Sequence, residues 1–173
     1  AALYYFCRML DGGADRLFVA RRLVRMAVED IGLADPQALV VANAAKEAFD
    51  FLGSPEGELA LAEAVIYLAT APKSNANYVA FKAAMRAAKE HGSLSPPKTI
   101  LNAPTKLMEE EGYGSDYLYD HDQPEAFSGQ NYFPDEFKKR PKYYDPPERG
   151  FERDIKKRLD YWAKLRAERN RRS

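Results

Sequence analysis

The run in this 173-residue chain whose residue types come closest to a reactive site is Asp120-His121-Asp122, where a histidine between two carboxylates could gain basicity or share a metal ion with them. In an extended segment adjacent side chains point to opposite sides, so the three do not converge on one ion, and no metal or catalytic role is assigned to them. Glu109-Glu110-Glu111 is expected at a helix C-terminus, where carboxylates oppose the helix dipole and favour a cationic neighbour. The usual parts of catalysis are missing. No Gly-x-x-x-x-Gly-Lys-Ser/Thr phosphate loop occurs, and the nearest fragment, Lys98-Thr99, follows Pro96-Pro97, whose nitrogens carry no N–H for a phosphate. There is no Gly-x-Ser-x-Gly elbow and no His-Glu-x-x-His pair, and His91 and His121 are 30 residues apart. Cys7, the single cysteine, can form neither an internal disulfide nor a thiolate cluster, and its apolar setting from Leu3 to Leu10 predicts a small buried hydrophobe. The chain is therefore expected to hold no catalytic, cofactor-binding or metal-binding residue and to be no enzyme by itself.

Basic residues are the next chemistry to place. The formal charge is zero, but residues 138–173 carry a net +8 and residues 1–137 a net −8. Along the C-terminal segment Arg153, Lys156, Lys157, Lys164, Arg166 and Arg169 are candidate nucleic-acid contacts. Glu152, Asp154, Asp160 and Glu168 are interspersed among them, so a mixed, solvated helix face is the competing reading. Arg21, Arg22 and Arg25 form a second cluster, beside Glu29 and Asp30, that surface or intersubunit ion pairs would equally explain.

The elements that must position these residues are helical. Asp15 to Ile31 shows an apolar stripe through Leu17, Ala20, Val24 and Val28, with Gly32 placed to stop it. Asp35-Pro36 gives a cap and a first-turn proline for a helix to Leu52, and Gly53-Ser54-Pro55 repeats the grammar for one from Pro55 to Ala71. Between Leu59 and Ala71 only Glu63 is charged, so that helix belongs either to the centre of a bundle or to a subunit interface. Leu59, Leu61, Val65, Ile66 and Leu68 are its candidate interface residues. Ser74 caps a further helix to about His91, with Tyr78, Phe81, Met85 and Ala88 inward.

After Gly92 come a short helix from Pro104 to Glu111 and an aromatic-rich strap over 113–147, with room for one short hairpin. Asp145-Pro146-Pro147-Glu148 has the form of a capping box for a last helix to about Arg169, packing through Phe151, Ile155, Leu159, Trp162 and Leu165. The expected fold is all-α: an antiparallel helical bundle (1–112), an extended strap packed on it (113–147) and a basic C-terminal helix (148–173), one domain overall. No leader and no apolar run near about 18 residues occurs, so a cytoplasmic protein is expected. The opening Ala1-Ala2-Leu3-Tyr4-Tyr5 has no initiator Met and no capping residue, as in a piece of a longer protein.

Several long runs resemble the C-terminal region of the RarA/MgsA family, which includes the Werner helicase-interacting proteins. They are Arg21 to Pro36, Phe51 to Asn75, Asn102 to Met108, Gly112-Tyr113-Gly114, Tyr119-Asp120-His121-Asp122, and Tyr143-Tyr144 before Gly150. Ser93-Leu94-Ser95 and Ser128-Gly129-Gln130-Asn131 are departures of this chain's own. The resemblance implies a parent AAA+ ATPase related to clamp loaders, with ATP and Mg bound upstream of this segment, DNA-dependent hydrolysis, and a role at replication forks and in recombination. It implies that this segment makes a homotetramer. Alternatively it binds single-stranded DNA or a replisome protein such as single-strand-binding protein. The expected setting is the nucleoid, at the replisome, without a membrane.

Overall fold

The computed structural model describes residues 1–171, and among them there are helices and no strand. The helices are α1 (Ala2–Asp11), α2 (Arg16–Met26), α3 (Gln37–Leu52), α4 (Glu58–Thr70), α5 (Ala76–His91), α6 (Lys106–Glu110) and α7 (Glu152–Asn170). The fold is all-α, as expected, and the hairpin allowed for in the strap does not form among the described residues. The chain divides into two compact units, residues 1–83 with 144–156, and residues 84–143 with those from 157 on. The divisions between these units fall inside α5 and α7.

In the first unit, polar side chains cap the starts of α2, α3 and α5. The Asp15 carboxylate accepts the Phe18 N–H at 2.5 Å, Asp35 accepts the Gln37 N–H at 3.1 Å, and Ser74 Oγ accepts the Ala76 N–H at 3.2 Å. Each satisfies an orphan donor of a first turn. At its far end α2 widens into a π turn over Ala27–Ile31 before Gly32, which adopts φ +53°. The Asp30 carbonyl, unpaired within the helix like others of a last turn, accepts the Ser74 N–H at 2.8 Å and so fixes the link between α4 and α5.

The unit's core lies between α2, α3 and α4. Ala38, Ala42 and Ala45 on α3 let the helices approach closely, and Leu61, Ala64, Val65 and Leu68 of α4 fill the space between them. α1 completes the core with Phe6 and Leu10, four residues apart on one stripe. Cys7 lies one residue off that stripe and is exposed, so the buried position expected from its apolar neighbours is not the one it takes. α4 starts at Glu58 rather than Pro55, because the link from Gly53 first closes a turn in which the Gly57 N–H reaches the Gly53 carbonyl at 2.6 Å. A Cβ on Gly57 would lie 2.8 Å from Phe49 Cα. The glycine therefore lets this turn close against α3.

α7 begins at Glu152, later than the Asp145 to Glu148 capping pattern predicts. Gly150 takes φ +49° with its α-carbon pressed on α3's approach, where an added Cβ would lie 2.0 Å from the Ala34 carbonyl oxygen. Phe151 N–H donates to that same oxygen at 2.8 Å. A contact across more than a hundred residues of chain therefore decides where the helix starts.

In the second unit the strap is organised around α7. Phe127 stacks on Trp162 with centroids 6.2 Å apart, and the Arg166 and Arg169 guanidinium groups lie 5.1 and 5.6 Å from the Phe127 centroid. Arg166 Nε donates to the Gly129 carbonyl at 3.2 Å, Arg169 donates to the Pro124 carbonyl at 2.8 Å, and Tyr161 donates to Glu125. Phe137 lies between His91 at 4.6 Å and Phe133 at 5.8 Å, extending the aromatic packing to the end of α5. The aromatic content of 113–147 thus serves order in an irregular segment.

Candidate functional site

Leu61 and Leu68 are fully buried and Val65 nearly so, which places three of the five candidate interface residues inside the protomer's own core. Their helix stripe faces α3, and they are not available to a partner. The other two, Leu59 and Ile66, are 77% and 50% exposed and lie seven residues apart, on the opposite face of α4. Glu63 is the one charge along that face, between Leu59 and Ile66.

α1 packs on α4 and leaves large apolar side chains of its own exposed. Of its apolar residues only Phe6 is buried; Leu3, Tyr4, Tyr5 and Met9 are exposed, with the Tyr4 and Tyr5 rings edge to face at 5.4 Å. The helix has no side-chain cap, but its apolar residues are one-sided, with Arg8 and Asp11 three residues apart on the other face, so its period was readable in the sequence and was missed.

The same unit exposes a second group of large side chains where α2 and α4 begin and α3 ends. Arg16 Nε meets Glu58 at 2.9 Å and joins the first turns of α2 and α4. Hydrogen bonds from the Ser54 hydroxyl and then Arg16 hold the Glu58 carboxyl below the usual carboxylate range. Phe18, Phe51 and Leu52 remain in solvent around this joint, Phe51 at 90% exposure. Phe51 follows the half-buried Phe49 by two positions, so the turn that seats one ring on the core directs the other outward.

The six candidate nucleic-acid residues differ in their surroundings. Arg166 and Arg169 are taken up by Phe127 and the strap carbonyls, and burial, with Arg140 nearby, lowers the Arg166 pKa. Arg153 Nε donates to the Gly150 carbonyl at 3.4 Å and Lys156 lies 3.9 Å from Glu148. Arg153, Lys157 and Lys164 are exposed.

Asp120, His121 and Asp122 form a single helical turn. Asp120 Oδ1 accepts the Ser128 N–H at 2.6 Å, and hydrogen bonds from Ser128, its hydroxyl first, hold the Asp120 carboxyl below the usual range. The His121 ring lies 5.1 Å from the Tyr119 ring. The cluster thus fastens the strap. Among the described residues no group of three or more His, Cys, Asp or Glu could hold a metal ion, and no helix is long and apolar enough to cross a membrane.

The chain is similar along nearly its whole length to known proteins. Residues 1–163 match the family model described as MgsA AAA+ ATPase C terminal. Replication-associated recombination protein A of Coxiella burnetii is 54% identical over 166 residues, covering 95% of this chain and 38% of that protein. The Escherichia coli K12 protein of the same name is 49% identical over 164 residues, 94% of this chain and 36% of that protein. The Bacillus subtilis one is 38% identical over 161 residues, 92% of this chain and 38% of that protein. The chain therefore spans somewhat more than a third of the length of these curated relatives. By the extent of the family match and the level of identity, this chain belongs to the MgsA AAA+ ATPase C-terminal family.

Proposed function

We propose that this chain is the assembly domain of a AAA+ ATPase of replication-associated recombination, joining subunits into a homo-oligomer, with four as the expected number. The observation that carries the reading is the uncovered apolar surface of α1 and α4, in which Tyr4, Tyr5, Leu59 and Ile66 stand in solvent beside a well-packed core. Burying a large apolar side chain is worth about 1.5–3 kcal/mol, and association costs about 4–15 kcal/mol in lost freedom. A handful of such residues from each of two copies is enough to offset that cost. ATP and Mg would be held by the parent protein outside this segment, as would the DNA-dependent chemistry. The domain would act where the parent acts, in the cytoplasm at the nucleoid.

Sedimentation of the chain tests the reading. Leu59→Glu with Ile66→Glu should leave helix content unchanged and shift the chain to monomer; a variant pair that sediments as the original does would remove α4 from the interface.

A second reading, nucleic-acid binding along α7, is favoured by the exposure of Arg153, Lys157 and Lys164. It predicts single-stranded DNA affinity that falls steeply with salt and is lost when these three become Glu.

A further inference from the structure

α2, α3 and the first turns of α5 enclose an open groove of about 780 Å³. Its apolar lining comes from Val24 on α2, Val28 on the π turn that follows it, and Tyr78 and Phe81 on α5. Phe81 was expected to face the bundle, and instead it is 64% exposed. The groove thus holds an aromatic side chain that the chain itself does not cover.

The rim is cationic. Arg21, Arg25 and Lys46 line it against a single carboxylate, Glu29. Arg22 acts on Glu29 from nearby, and the Lys82 ammonium lies 4.5 Å from the Tyr78 ring centroid. The hydrogen bond from Arg25, with further help from Arg22 and Lys82, holds the Glu29 carboxyl below its usual range, as expected in a positive field.

Two of the rim cations already grip carboxylates, Arg25 that of Glu29 at 2.6 Å and Lys46 that of Asp50 at 2.5 Å. Arg21 is exposed and has no ion pair among the described residues. The rim is therefore shaped for carboxylate side chains. Val24 and Val28 offer an apolar side chain good contact, the Asn43 and Asn77 amides on the same lining can hydrogen-bond a peptide backbone, and an open groove between helices admits a peptide.

We propose that this groove captures a short acidic segment of a partner protein, with a carboxylate on Arg21 and one bulky apolar side chain against Val24, Val28 and Phe81. Charge complementarity at the rim steers the encounter and makes it salt-sensitive, and the apolar anchor supplies the affinity. This site is separate in residues from the α1 and α4 surface, so it stands whether or not that surface assembles the chain.

Fluorescence anisotropy on the whole chain tests it with synthetic fluorescein-labelled peptides. One is a Glu/Leu amphipathic helix, one an extended Asp-rich segment with a central Phe, and one a Lys/Leu helix as control; a labelled oligothymidylate is run beside them. The expected result is that at least one acidic peptide binds and the basic one does not. Arg21→Glu and Phe81→Ala should each weaken that binding by about tenfold or more, the loss of one good contact. Both positions are exposed, and unchanged circular dichroism and melting show that the variants fold. Binding by neither acidic peptide overturns the proposal, as does binding that both substitutions leave intact. Oligothymidylate binding lost in both variants, with no acidic-peptide binding, would make the groove a nucleic-acid surface instead.

Discussion

Glu152 puts a carboxylate with no exposed surface at the first turn of α7, where the helix dipole favours negative charge. One oxygen accepts the Tyr144 hydroxyl at 2.7 Å and the other has no hydrogen-bond partner. Burial, then the bond to Glu152, raises the Tyr144 pKa well above the usual phenol value. Tyr144→Phe would leave the carboxylate wholly unpaired and should cost about 1–3 kcal/mol of stability, read by thermal or urea unfolding. Gly150→Ala should cost about 3 kcal/mol or more in the same assay, because both its positive φ and the Ala34 carbonyl exclude a methyl group. Asp120 gives a pH prediction. Its folded pKa is depressed, so the stability it contributes is fully present above its unfolded value near about 4 and is lost as pH falls through the lower folded value. Asp120→Asn should flatten that acid limb of the stability profile; an unchanged acid limb would deny the Ser128 bonds a role.

Single helices separate core from surface more sharply than their composition does. α4 looked uniformly apolar, yet Leu61→Ala should open a cavity and cost about 2–5 kcal/mol, whereas Leu59→Ala should change monomer stability by no more than about 0.5 kcal/mol. Both substitutions are read in urea melts, and assembly is read separately by light scattering. Equal costs for the two would mean that Leu59 is packed within the subunit. The starts of α2, α3 and α5 were legible because Asp15, Asp35 and Ser74 are capping residues whose work is local. The starts of α4 and α7 were not, because they depend on Gly57 closing against Phe49 and on Phe151 finding the Ala34 carbonyl. α1 was missed for a different reason: it has no cap to mark its start, although Arg8 and Asp11 give it a polar face and Phe6 and Leu10 an inward stripe, and Cys7, next to Arg8, is exposed. Which side of α4 and α5 faces solvent was likewise beyond reach, since residues of one hydrophobicity class carry no mark of the neighbour they meet.

For the whole molecule, family membership rests on matching runs spread along the chain, and physical reading of the fold adds where a partner subunit could sit. The first unit has a core too small to cover α1 and the outer face of α4, and its large exposed side chains there are joined by Phe18, Phe51 and Leu52 near the Arg16 and Glu58 pair. In the second unit two of the candidate nucleic-acid residues, Arg166 and Arg169, hydrogen-bond to strap carbonyls. Assembly is accordingly the reading that the exposed surface supports best. Analytical ultracentrifugation of the chain across a wide concentration range tests it most directly. A species of several subunits that becomes a folded monomer on Leu59→Glu with Ile66→Glu is the predicted result, and a clean monomer at the highest concentration would contradict it.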